Sequence, residues 1–207
     1  MTVSLLDRAP VIPVVVIDDV EQAIPLARAL VYGGLPVIEL TLRTPVALDA
    51  IERIAAQVPE IFVGAGTVVT AAQAKQATDA GAQFLVSPGS TLALLRAMSD
   101  TGLPHLPGVS TVSEVLALLD AGYREMKFFP AEACGGTAFL GSIHAPLPEA
   151  RFCPTGGITP ASAPDYLALP NVGCVGGSWV APTKALASGD WTEIAAYARG
   201  ASRMCRS

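Results

Sequence analysis

Lysine is scarce in this chain: three residues in 207, at Lys75, Lys127 and Lys184. Charge of either sign is thin, with 15% charged residues against 51% apolar ones and a net charge of −5. That balance excludes a nucleic-acid or anionic-membrane surface held by general electrostatics, though a local cationic pocket for a small anion stays open. The two histidines, His105 and His144, stand apart, which excludes a His-rich metal site and a Ser-His-Asp triad. The four cysteines, Cys134, Cys153, Cys174 and Cys205, form no CxxC pair and no ligand cluster. They fit the reduced thiols of a cytoplasmic protein, with Cys153 and Cys174 as small buried hydrophobes. The apolar runs fall short of the roughly 20 residues of a membrane span. Leu5-Leu6 is too short for a signal peptide, and Asp7, Asp18 and Asp19 interrupt the apolar run. No low-complexity tract or linker divides the chain, so one domain over residues 1–207 is expected.

What is present is an alternation of short β-branched runs with longer amphipathic ones. Val11–Val16 reads as a strand, followed by a helix over residues 20–31 that Asp18-Asp19 caps and Gly33-Gly34 ends. Strands at 36–41, 61–66 and 83–87 come next, with helices after Pro45, Thr70 and Ser90 or Thr91. The fifth strand, His105–Gly108, is weak because of its prolines, and Ser113 precedes the next helix. Glu125–Pro130, Arg151–Thr155 and Val172–Gly176 complete the strands, and a last helix covers 191–204. Eight β-then-α units imply parallel pairing with right-handed crossovers. Eight is also the number that closes a (β/α)8 TIM barrel, whose site lies at the C-terminal strand ends. An open doubly wound sheet would carry a Gly-rich dinucleotide turn after its first strand. Here Ile17-Asp18-Asp19 stands at that place.

The strand ends hold the chemistry. Lys127 sits in the apolar run Met126-Lys127-Phe128-Phe129-Pro130, where a charge must be paired or given up. An amine in an apolar pocket is how an enzyme obtains a neutral nucleophile. A snorkelling lysine with its head in water is the other reading. Glu39, Thr41 and Arg43 share one strand face and Ile38, Leu40 and Leu42 the other. The polar set then points inward, either as a general base with a carboxylate clamp or as a structural ion pair. Gly64-Ala65-Gly66 lets backbone approach a ligand and Thr67 can donate a hydrogen bond; a capped tight turn is the plainer alternative. Ser87-Pro88-Gly89 reads as a shaped loop. Thr155-Gly156-Gly157 and Gly176-Gly177-Ser178 follow strands seven and eight, where many barrels bind phosphate, and two ordinary turns are the alternative. Together these predict an amine that forms a Schiff base with a keto acid. Arg43 would hold its carboxylate, and the distant glycine loops a phosphate at the other end.

Over residues 11–182 the chain resembles the class I 2-keto-3-deoxy-6-phosphogluconate (KDPG) aldolases, including the bifunctional KDPG/4-hydroxy-2-oxoglutarate (KHG) type. The motifs are Ile38–Thr44, Gly64–Val68, Ser87–Gly89, Lys127–Glu132, Pro154–Ile158 and Gly176–Trp179. The resemblance implies a homotrimeric (β/α)8 barrel that needs no metal or organic cofactor. It implies cleavage of KDPG to pyruvate and glyceraldehyde 3-phosphate, in the Entner–Doudoroff route, and of KHG to pyruvate and glyoxylate. By matching position, Lys127 is the Schiff-base lysine and Glu39 the general acid/base. Arg43 and Thr67 bind the pyruvate carboxylate with help from Pro88 and Thr155, Phe129 packs beside the pyruvyl group, and Gly156, Gly157, Gly177 and Ser178 form the phosphate site. Alternatives are an aldolase for the galactonate epimer, a phosphate-binding isomerase or synthase in which Lys127 forms no imine, and a catalytically silent sugar-phosphate binder. Glu125 shares the parity of Lys127, and the sequence names no partner for it.

Overall fold

A computed structural model describes residues 4–205; residues 1–3 and 206–207 of the expected domain lie outside the described residues. Among the described residues there are nine short strands and nine α-helices, mostly in alternation. The strands are β1 (Val11–Val15), β2 (Val37–Thr41), β3 (Phe62–Gly66), β4 (Leu85–Val86), β5 (His105–Leu106), β6 (Gly108–Val109), β7 (Glu125–Phe128), β8 (Arg151–Pro154) and β9 (Val175–Gly177). The helices are α1 (Ala23–Tyr32), α2 (Ala47–Gln57), α3 (Ala71–Asp79), α4 (Leu92–Asp100), α5 (Val112–Asp120), α6 (Gly136–His144), α7 (Ala163–Leu167), α8 (Thr183–Ser188) and α9 (Trp191–Ser202).

These strands pair in parallel, in a curled six-stranded sheet ordered β5-β4-β3-β2-β1-β9 and a three-stranded sheet ordered β6-β7-β8. The weak fifth strand is two pieces because Pro107 stands between them and has no N–H for a ladder. Its carbonyl still accepts from Lys127 N at 2.9 Å. Val14, Glu39 and Gly64 share one level of the register, as do Gly108, Lys127 and Cys153. Residues at one level of a parallel ladder face the same way. Glu39 and Lys127 therefore project from the inner face of the curl, while Ile38, Leu40, Met126 and Phe128 are fully buried on the outer face. Phe128 stacks on Phe139 of α6 at 4.9 Å between ring centroids. That packing is the main reason these strands hold their register.

Several expected boundaries differ, among them the eighth strand, expected over Val172–Gly176 and found as β9 at Val175–Gly177. The fourth strand shortens to Leu85–Val86. Residues 20–22 form a 3-10 turn capped by Asp19 before α1 begins. Helix α5 is capped by Thr111, not entered after Ser113: Thr111 Oγ1 accepts from Glu114 N, and Glu114 reaches back to Thr111 N at 2.8 Å. Helix α8, closed by a left-handed Gly189, has no counterpart among the expected elements.

Candidate active site

On β2 the inner face carries Glu39 and Thr41, 3% and 2% exposed. Thr41 Oγ1 donates to the Val15 carbonyl at 3.0 Å and accepts from Arg43 Nε at 3.1 Å. The strand ends at Thr41, so Arg43 stands beyond it with its side chain exposed and leaning back on the threonine. On β7, Lys127 Nζ donates to Glu39 Oε1 at 3.0 Å, with side chains 6% and 4% exposed. The head of Lys127 is therefore in the protein and not in water. Burying two such ions costs several kcal/mol each before their attraction offsets it, so the pair is a poor source of stability. The ammonium also lies 5.5 Å from the Phe129 ring centroid.

The glycines of β3 make room for protein side chains. A Cβ on Gly66 would run into the Glu39 carboxylate, and one on Gly64 into the Phe84 ring. Thr67, immediately beyond, holds φ +59 without being glycine. Backbone strain of that kind clusters at functional sites. Pro88 reaches this end of the sheet through Gly108: a Cβ there would strike the Pro88 carbonyl carbon, and Gly108 is the register partner of Lys127. Buried Ser87 accepts from Gly108 N at 3.3 Å.

Beyond β8, Thr155 is buried, with its N–H on the Phe128 carbonyl at 2.9 Å and its hydroxyl in the space that a Cβ on Gly176 would need. Gly156 and Gly157 follow at φ +104 and +82, a succession that only glycine adopts cheaply. Gly156 packs on Phe129 and Pro130. On β9, Gly177 is buried beneath the Trp179 ring, and exposed Ser178 opens a 3-10 turn. Arg43 and Ser178, expected at opposite ends of a substrate, line one cavity of about 270 Å³ with Val14, Val16 and Trp179.

Two neighbours carried no sequence-based role. Glu132 ends the Lys127–Glu132 motif, and Tyr166 of α7 donates to its Oε1 at 2.6 Å. Burial first, and then the Glu132 carboxylate, push the Tyr166 hydroxyl well above the usual phenol value, so its proton stays in that bond. Nothing in the sequence marks Tyr166; Glu132 could have been noticed as a carboxylate two residues beyond the proline that closes β7. At the other end of β7, Glu125 has its partners: it accepts from Ser4 Oγ and, at 3.0 Å, from Arg151 Nη1, while Arg151 Nη2 binds Asp7 at 2.7 Å.

Fold and site define a class: a parallel α/β protein with an amine and a carboxylate buried together inside the curl, near the C-terminal strand ends. Comparison with known proteins narrows it. A family model described as "Aldolase: KDPG and KHG aldolase" matches residues 3–197. The KHG/KDPG aldolase of Escherichia coli (strain K12) is 52% identical over 198 residues, 96% of this chain and 93% of that protein. The 2-dehydro-3-deoxy-phosphogluconate aldolase of Dickeya dadantii (strain 3937) is 53% identical over the same shares. A crystal structure of KDPG aldolase from Legionella pneumophila, with pyruvate captured at low pH as a covalent carbinolamine intermediate, superposes with a TM-score of 0.93 at 46% identity, covering 95% of this chain and 96% of that one. The chain belongs to the KDPG and KHG aldolase family.

Proposed function

We propose that this protein is a class I aldolase that cleaves KDPG to pyruvate and D-glyceraldehyde 3-phosphate, and KHG to pyruvate and glyoxylate. The observation that carries the reading is the Lys127–Glu39 pair, 3.0 Å apart and buried at the mouth. With Glu39 taking its proton, the Lys127 amine adds to the C2 carbonyl of the keto acid to give a carbinolamine; Glu39 returns that proton to the carbinolamine hydroxyl, which leaves as water, giving an iminium and restoring the carboxylate. Glu39 then removes the proton of the C4 hydroxyl. The C3–C4 bond breaks, its electron pair flows to the iminium, and the aldehyde departs from an enamine. Protonation of C3 and hydrolysis by water release pyruvate and restore the amine. The relative captured as a carbinolamine with pyruvate supports this route.

Arg43 and Thr67 hold the keto-acid carboxylate in this reading, with Pro88, Phe129 and Thr155 around the pyruvyl carbons. Gly156, Gly157, Gly177 and Ser178 take the phosphate. The two sheets close into one (β/α)8 barrel forming a single domain. Two parallel bridges, Phe152 with Val172 and Thr155 with Gly176, support that closure between β8 and β9. A cytoplasmic homotrimer completes the proposal; the exposed apolar side chains Leu92, Val112 and Leu116, on the consecutive helices α4 and α5, are surface that an assembly would cover.

The test is chemical trapping. Borohydride added with pyruvate should leave a covalent mass adduct that peptide mapping places on Lys127. A protein that stays unmodified, under conditions that trap another class I aldolase, would overturn the imine. Turnover of KDPG, its galacto epimer and KHG, measured side by side, then ranks the substrates.

A further inference from the structure

Glu132 spans the gap between the lysine strand and the glycine loop that follows β8. Its backbone N–H donates to the Gly156 carbonyl at 3.1 Å, next to the Ala131 N–H on the Thr155 carbonyl at 2.8 Å. Its stem lies directly beneath Gly157: a Cβ there would come within 2.6 Å of Glu132 Cγ and 2.8 Å of Glu132 Cβ. Its carboxylate turns the other way. Oε1 accepts from the Tyr166 hydroxyl at 2.6 Å, and both oxygens lie over Gly136, the first residue of α6. That is the end of a helix where a negative charge is favoured. Tyr166 is 1% exposed and fixed in α7, the helix that the same loop leads into. One side chain thus supports the loop with its stem and is anchored at its head by the helix beyond.

We propose that Glu132 and Tyr166 are positioning residues for the phosphate end of the substrate. They set where the Gly156-Gly157 backbone stands relative to Lys127, and so favour substrates that carry a phosphate. The inference rests on the aldolase reading and on the assignment of that loop to the phosphate. Turning the carboxylate into a bond with Tyr166, above the start of α6, also keeps its charge from facing a bound phosphate.

Steady-state kinetics with two substrates tests it, because KHG carries no phosphate. Tyr166→Phe removes one hydroxyl and keeps the ring. It should raise KM for KDPG roughly tenfold, the scale of one lost hydrogen bond to a charged group, with kcat within about twofold and KHG turnover unchanged. Glu132→Ala, at an exposed position, should reproduce that pattern. Glu132→Gln keeps an acceptor oxygen and should restore most of the KM. Equal losses on both substrates, no change on either, or a Glu132→Gln variant as impaired as Glu132→Ala would each overturn the proposal. If the unaltered protein releases no pyruvate from either substrate, the aldolase reading itself falls and takes this inference with it. Active wild type with variants that fail to separate the substrates sinks only the inference.

Discussion

Strand β7 carries a charged side chain at each end of its inner face, and the two ends behave differently. Lys127 and Glu39 form a pair with almost no exposure, joined by one hydrogen bond. Glu125, two residues earlier, accepts from Ser4 and Arg151, and Arg151 passes on to Asp7, with Arg151 and Glu125 side chains 38% and 26% exposed. The lower cluster joins β7, β8 and the N-terminal segment through groups that remain partly hydrated. Its hydrogen bond to Asp7, then the Asp7 and Glu125 charges, hold Arg151 still more firmly protonated and outweigh the opposing cost of its burial. The upper pair has the desolvation without the network, and Gly66 leaves space for its carboxylate. A fold that needed only closure at the top would be better served by apolar groups of the same volume. One ion pair therefore holds strand ends together, and the other costs stability, as the chemistry proposed for it would lead one to expect.

Removing Lys127 breaks the comparison most severely. Lys127→Ala should reduce cleavage by at least about a thousandfold, as loss of a covalent nucleophile does, and abolish the borohydride adduct. The secondary structure should persist in circular dichroism. The stranded Glu39 carboxylate costs about 3–5 kcal/mol if it stays ionised, read as a lowered Tm. Unchanged turnover would sink the lysine assignment. Glu39→Gln is gentler: cleavage should fall about 10²- to 10⁴-fold while trapping of pyruvate is slowed less. Equal slowing of both steps would make Glu39 a structural partner only.

At the lower end the effect should reverse in kind. Arg151→Met removes two ion pairs and leaves the mouth untouched. Stability should drop by about 1–2 kcal/mol, above the usual range for one exposed pair because three charges are linked. The rate constants should stay near wild type. The loss should also shrink at high salt, since these groups are hydrated and screened. A large fall in kcat would mean that the two ends of β7 are not separable.

Much of this contrast is legible in the residue order, and the reasons are local. Alternation of Ile38 and Leu40 with Glu39 and Thr41 assigns the faces of β2, because burial on the helix side leaves no choice of register. The apolar surroundings of Lys127 mark it in the same way. Contacts between distant segments are not legible: Ser4 and Glu125 are 121 positions apart, and nothing local in either specifies the other. Gly66 is ambiguous for a related reason. A glycine announces that space is needed and does not say whether a ligand or a neighbouring carboxylate will fill it. The cap of α5 is readable in principle: Thr111-Val112-Ser113-Glu114 is a capping-box pattern that Ser113 obscures. Tyr166 shows its role only once α7 lies beside residue 132.

Glu114 supplies the smallest and cleanest reference for both ends, a carboxylate held by neutral donors alone. Burial raises its pKa, but hydrogen bonds from the Ser110 and Thr111 N–H and hydroxyl groups outweigh this and leave it below its ordinary 4.5. A folded-state value below the unfolded one means that the ionised form favours the fold. Its contribution is complete above the unfolded pKa and disappears as pH falls through the folded one. Glu114→Ala should therefore cost about 0.5–1 kcal/mol near neutral pH, the scale of a helix cap, and progressively less as the pH is lowered below about 4.5. Urea unfolding at several pH values measures it. A loss of the same size at pH 3 as at pH 7 would show that side-chain packing, not the ionised cap, is what Glu114 contributes. It would then no longer serve as the neutral-donor reference against which Glu39, beside an amine, and Glu125, beside a guanidinium, are compared.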